Sequence, residues 1–146
     1  MRTVLALAAA IVAVGCAAPT TNAAGRSPLS DFTIDLKRYP QLYFRIDSFV
    51  VPDAAREEFE AAMQRNMAFI GTLHGFRGHV AFEKRDGDSS FNIVTIASWE
   101  NREALEHAGK EVRAYYQRIG FDMAGTLKRW GVAIVRADYE APAQLQ

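Results

Sequence analysis

Few residues in this chain have side chains and positions that suggest chemistry: His74, His79 and His107, the adjacent pair Tyr115 and Tyr116, the junction residue Trp99, the strand polars Ser48 and Asn92, and the single cysteine Cys16. Imidazole titrates near neutrality, so a histidine is the first candidate for a general base or a metal ligand. No two of the histidines stand at the close spacing of a metal-binding pair, which argues against a His-rich metal site. One cysteine excludes an internal disulfide and a Cys-based zinc site. His107 sits among Glu103, Glu106 and Lys110 on a helical pattern, where it is either a base or a solvated surface residue. His74 falls in a turn and His79 at a strand start, positions in which histidine more often makes a surface hydrogen bond. Tyr115 and Tyr116 cannot share a helix face, so one hydroxyl should point into the interior and the other outward. Ser48 and Asn92 each need a partner if buried, as pocket residues or as satisfied core polars. Trp99, at a strand-to-helix junction, is a core or pocket wall. There is no Gly-rich phosphate loop, nucleophile elbow or basic aromatic patch.

These residues are positioned by a regular alternation of elements. From Leu42 to Val51, Phe44, Ile46, Ser48 and Val50 alternate with Tyr43, Arg45, Asp47 and Phe49, a strand with one mainly apolar face. Pro52 and Asp53 stop it and start a helix whose Phe59, Met63, Met67 and Ile70 recur at helical spacing. His79–Lys84 and Phe91–Trp99 flank Arg85-Asp86-Gly87-Asp88, and an Asp-Gly pair predicts an antiparallel hairpin. Asn101 caps a second helix that runs to about Ile119, with Ala104, Ala108, Val112, Tyr115 and Ile119 on one stripe. A short piece, Phe121 to Leu127, leads to a last strand, Trp130 to Val135. The order β-α-β-β-α-β is the split βαβ plan of an α+β, ferredoxin-like fold.

Two segments exceed that plan. Ile93–Ala97 and Val132–Val135 are apolar at successive positions, although two helices cover only one face of a four-stranded sheet. A second copy of the sheet would cover the other, making a homodimer with a barrel between subunits; ordinary central-strand composition is the alternative.

The N-terminus has the three-part plan of an export signal: Arg2, an apolar run from Val4 to Val14, then Gly15 and Cys16. Ala13-Val14-Gly15-Cys16 resembles a bacterial lipobox, with Ala13 where Leu is usual, so Cys16 is the expected lipidation site and the cell envelope the expected location. Residues 1–15 then form the signal, 16–40 a small-residue tether, 41–137 the domain and 138–146 a C-terminal tail. The lipid is the only expected membrane contact. Seventeen basic residues balance seventeen acidic ones, so no net field favours nucleic acid.

Leu73-His74-Gly75-Phe76 after the first helix and Ser98-Trp99-Glu100-Asn101-Arg102-Glu103-Ala104-Leu105 into the second resemble the antibiotic biosynthesis monooxygenase family, over Leu42 to Val135. The resemblance implies a dimeric α+β barrel and, among the family's activities, a cofactor-free oxygenase acting on a phenol, quinol or other small aromatic, with no cofactor or metal. On that reading His107 and Tyr115 are the catalytic candidates, and Ser48, Asn92, Trp99 and Tyr116 the substrate-binding ones. The chain departs from the family at Ala108, where many members place a histidine. His107 is one residue earlier, about 100° around the helix. The Asn, Trp and His of the haem-degrading branch fall at Ser48, Ala108 and Arg118, so none is kept. The alternative is a non-enzymatic envelope lipoprotein that binds an apolar ligand or a protein partner.

Overall fold

The structure, a computed structural model, describes residues 32–145; the segment expected to be an export signal, Cys16 and most of the expected tether lie outside the described residues. β1 (Tyr43–Val50) is followed by a 3-10 turn (Asp53–Ala55) and α1 (Arg56–Ile70). β2 (Phe76–Glu83) and β3 (Ile93–Trp99) form the antiparallel hairpin, and α2 (Arg102–Arg118), α3 (Met123–Trp130) and β4 (Ala133–Glu140) complete the domain. The sheet order is β2-β3-β1-β4, antiparallel throughout, so the fold is the ferredoxin-like α+β arrangement.

Local chemistry explains most element ends. The Asn101 side chain accepts the Ala104 N–H at 2.8 Å and starts α2. Gly75 adopts φ 78°, and a Cβ there would stand 2.5 Å from that of Ala104, so only glycine permits this turn to pack on α2. The Gly75 carbonyl also accepts the Glu100 N–H at 2.7 Å. The Gly-containing turn and the Trp99 junction are thus two halves of one contact.

The last strand differs from the expectation over Trp130 to Val135. Trp130 ends α3, left-handed Gly131 closes that helix, and β4 runs on to Glu140, into the segment read as a tail. The reason is composition: Arg136 and Asp138 pair with β1 side chains, and charges in a strand looked like solvent-exposed chain. The hairpin connection is likewise longer than a tight Asp-Gly turn, with the strands ending at Glu83 and restarting at Ile93.

The two sheet faces have opposite characters. Tyr43, Arg45, Asp47 and Phe49 of β1 lie with Ile93, Thr95, Ala97 and Trp99 of β3 beneath the helices. The other face carries Phe44, Ile46, Val80, Phe82, Val94, Ile96, Val135 and Tyr139, and no helix of the described residues lies over it. Phe82, Val135 and Tyr139 are 53%, 57% and 49% exposed. At one end Phe32 lies against Gly78, where a Cβ would meet its ring at 2.9 Å, next to fully buried Ser98.

Candidate functional site

The helix-covered core is split in two. One cluster, built on Phe49, Val51, Phe59, Ile93 and Val132, fills one end of the sheet; another, built on Trp99, Leu105 and Ala108, fills the other. Between them the sheet presents polar or small residues: Arg45, Asp47, His79, Thr95, Ala97 and Arg136. Side chains from α1, α2 and α3 roof this band without filling it, which leaves a cavity of about 520 Å³. That volume is in the range of small-molecule sites, and most of its wall is apolar: Phe59, Met63, Met67, Val112, Leu127 and Ile134 among others.

The floor carries two charge pairs across β1 and β4. Arg136 donates to Asp47 through Nε–Oδ1 at 2.7 Å and Nη2–Oδ2 at 2.6 Å, and Arg45 donates to Asp138 at 2.8 and 3.0 Å. Asp47 and Arg136 are register partners, so strand pairing itself sets up the two-pronged contact. The Asp47 carboxylate, in turn, holds the Arg136 guanidinium above its usual range.

Above this floor the hydrogen bonding is incomplete. Asn66 Oδ1, both ring nitrogens of His79 and Trp99 Nε1 are buried with no hydrogen-bond partner among the described residues, and all three side chains line the cavity. A buried polar atom left unpaired costs about 1–3 kcal/mol. Several such atoms on residues that line one cavity concentrate that cost beside it. His79 is 4% exposed, and burial pushes its pKa down, with Asp47 pulling weakly the other way. Burial pushes the Tyr116 phenol up, so it stays a neutral hydroxyl at physiological pH.

The candidates read from sequence separate clearly. Trp99 and Tyr116 line the cavity. Tyr115 instead stacks on Phe69 of α1, ring centroids 4.1 Å apart and planes 10° from parallel. His107 lies on the outer face of α2, 68% exposed and 4.0 Å from Glu111. Ser48 is on the face away from the helices, in register with Val94 and Val135. Asn92 clips the end of β1, accepting the Val51 N–H at 2.9 Å and donating to the Val51 carbonyl at 2.7 Å. His107, Tyr115, Ser48 and Asn92 are therefore not brought into the cavity.

Three cavity residues, Asn66, Asp47 and Arg136, are not singled out by the sequence, and His79 is read there as more often a surface hydrogen-bonder than a base. For one of them a signal existed: Asn66 falls on the apolar stripe of α1, between Met63 and Ile70, where a polar residue is out of place. Among the described residues no group of His, Cys, Asp or Glu is gathered as a metal site.

No protein-family model matches the chain, and no curated protein matches it in sequence. Its fold is found in solved structures. One is a candidate monooxygenase of Shewanella loihica PV-4, with TM-score 0.55 and 16% identity, over 70% of this chain and 95% of that one. Another is SnoaB, a cofactor-independent oxygenase of Streptomyces nogalater, with TM-score 0.53 and 22% identity, over 70% and 94%. A third is MhuD in an R26S form with two manganese protoporphyrin IX molecules per active site, with TM-score 0.52 and 16% identity, over 68% and 93%. At these identities the likeness establishes the fold.

Proposed function

We propose that this is an antibiotic biosynthesis monooxygenase-like domain whose helix–sheet cavity binds a small oxygen-substituted aromatic, a phenol or quinol, and directs its oxidation by dioxygen without a bound cofactor. The observation that carries this reading is a cavity with a charged floor and mostly apolar walls, lined by three residues, Asn66, His79 and Trp99, that hold buried polar atoms without a partner among the described residues. Apolar walls suit fused rings, and the unpaired atoms suit ring oxygens. The cofactor-independent activity of SnoaB, which shares the fold, adds support.

The chemistry asks three things of the protein. A ring hydroxyl must lose its proton, which makes the ring electron-rich enough to react with dioxygen. The oxyanion must be held by donors, and Trp99, whose Nε1–H has no partner among the described residues, is one of the cavity's lining residues. Water must be kept out, which the Phe59, Met63, Met67 and Leu127 side chains favour. For a ring methylene flanked by such a phenol, one dioxygen is consumed, the methylene becomes a carbonyl, and the second oxygen atom leaves as water.

In this reading the apolar sheet face is covered by a second copy, and the domain is carried to the cell envelope on a lipid at Cys16. Oxygen uptake with a panel of hydroquinones and anthrones, under metal chelation, tests the activity. Uptake with matching product is expected. No uptake above buffer across the panel, with the same compounds still raising the melting temperature, would instead favour the non-enzymatic ligand-binding lipoprotein.

A further inference from the structure

We infer that the mouth of the helix–sheet cavity recognises an acid group, and that the ligand is an apolar ring compound whose carboxylate is held between Arg65 of α1, Tyr116 of α2 and Arg136 of β4. The inference rests on the cavity being a ligand site, as proposed above, and concerns a part of the ligand that binds without reacting.

The charge balance of the cavity is uneven. Three arginines, Arg45, Arg113 and Arg136, line it against one carboxylate, Asp47. Asp138 is taken up by Arg45 and Asp47 by Arg136, so one cation is left over. That cation is Arg113, which makes no ion pair among the described residues and lies along α2 with Nη1 3.7 Å from where a Cβ on cavity-lining Gly109 would stand. An anionic ligand meets a favourable field there, and a cationic one does not.

The donors that would grip an acid come together at one end. The Arg136 side chain lines the cavity yet is 47% exposed, so the cavity meets water beside it. Asp47 occupies Nε and Nη2 of that guanidinium, and Nη1 has no acceptor among the described residues. Tyr116 and Phe121 line the same cavity and meet edge-on with ring centroids 5.1 Å apart. Arg65 lies over Phe121, its Cζ 5.2 Å from the ring centroid, which puts a second guanidinium on the rim. Burial pushes the Tyr116 phenol up while Arg136 and Arg65 pull the other way, so it is a neutral donor within the field of both charges.

This set selects a carboxylate. All three groups donate, two of them carry positive charge, and all are open to a ligand: Tyr116 is half-buried, Arg65 and Arg136 exposed. The edge of a guanidinium takes the two oxygens of a carboxylate in parallel N–H···O bonds. Asp122, next to Phe121, does not fill this place, because its side chain accepts the Gly125 N–H and caps α3. Behind the donors, the Met63, Val112 and Leu127 side chains suit the rings.

The test uses the full chain and two probes of one shape, anthraquinone-2-carboxylate and its neutral carboxamide, titrated by calorimetry at neutral pH. The carboxylate should bind at least roughly tenfold more tightly, and salt should shrink the difference, since the rim is exposed. Arg65→Gln and Tyr116→Phe should each weaken the carboxylate by roughly three- to tenfold and leave the carboxamide unchanged. Arg65→Lys should keep most of the preference, and Arg85→Gln, on the exposed hairpin connection, all of it. Equal binding of the two probes would overturn the inference and leave the cavity reading standing, as would a preference undiminished in folded Arg65→Gln and Tyr116→Phe proteins. Binding of neither probe would overturn both. A carboxylate preference without oxygen uptake on any quinol would leave the inference standing and remove the oxygenase reading.

Discussion

Asp47 and Arg136 stand opposite each other on β1 and β4 and exchange two hydrogen bonds on the face of the sheet that the helices cover. The Asp47 side chain is 13% exposed and that of Arg136 47%, so the pair sits at the cavity floor with one flank in water. Solvent screening reduces its value below that of a fully buried pair. Asp47→Asn or Arg136→Met is therefore expected to cost about 1–2 kcal/mol in urea unfolding, and the double variant less than the sum of the two. Additive losses would mean that the two residues act separately.

His79 gives the fold a pH dependence of known sign. Its folded pKa lies below the ordinary value of about 6.5, so below that pH the unfolded chain binds a proton that the folded chain does not. Stability should therefore fall as pH drops from about 6.5 toward the folded value, and level off beneath it. His79→Gln should remove this component from unfolding curves measured across that range. A wild-type slope unchanged by the substitution would place the dependence elsewhere.

Trp99 is expected to be a structural wall whose one polar atom serves the ligand. It is 3% exposed and packs edge-on to Phe76 at 5.3 Å. Trp99→Ala should cost roughly 3–5 kcal/mol. Trp99→Phe keeps a ring and deletes the unpaired N–H, so it should melt much closer to wild type yet bind a carbonyl-bearing aromatic about tenfold more weakly. Equal binding by Trp99→Phe would show that Nε1 meets no ligand.

Much of this architecture was legible in the residues. Alternation in β1, the capping Asn101 and the stripe Phe59, Met63, Met67, Ile70 fixed the elements, because each is a local signal of period or of end chemistry. The face assignment was not local. Phe44, Ile46 and Val50 form the more apolar side of β1, yet Arg45 and Asp47 are the residues beneath the helices, since charges held in cross-strand pairs read like unpaired charges in water. For the same reason β4 was read as ending at Val135. Tyr115 and Tyr116 do not divide into an inward and an outward residue: both are half-buried, Tyr116 lining the cavity and Tyr115 stacked on Phe69 of α1. His79 reads like a surface residue because nothing in its sequence neighbours reveals that it lies on the helix-covered face of the sheet, opposite Ala97.

The outer sheet face makes its own prediction. Phe82, Val135 and Tyr139 stand exposed on the same sheet face as Val94 and Ile96, and contiguous exposed apolar surface of this kind marks interaction faces. A second copy placed face to face would bury roughly 2,000 Å² or more, the obligate class. Sedimentation should give a dimer, Val135→Glu should shift it to monomer, and melting should rise with protein concentration. A stable micromolar monomer with concentration-independent melting would contradict the pairing.

The proposal that the helix–sheet cavity is where an aromatic is oxygenated is tested most directly by turnover of an anthrone under oxygen-18 gas, followed by mass spectrometry of the product. The wild-type protein should place one labelled oxygen in the new carbonyl and the other in water. Ala97→Phe, which fills the floor between His79 and Trp99, should abolish labelling while the protein remains folded. Unlabelled product, or labelling undiminished in the filled variant, would contradict the account.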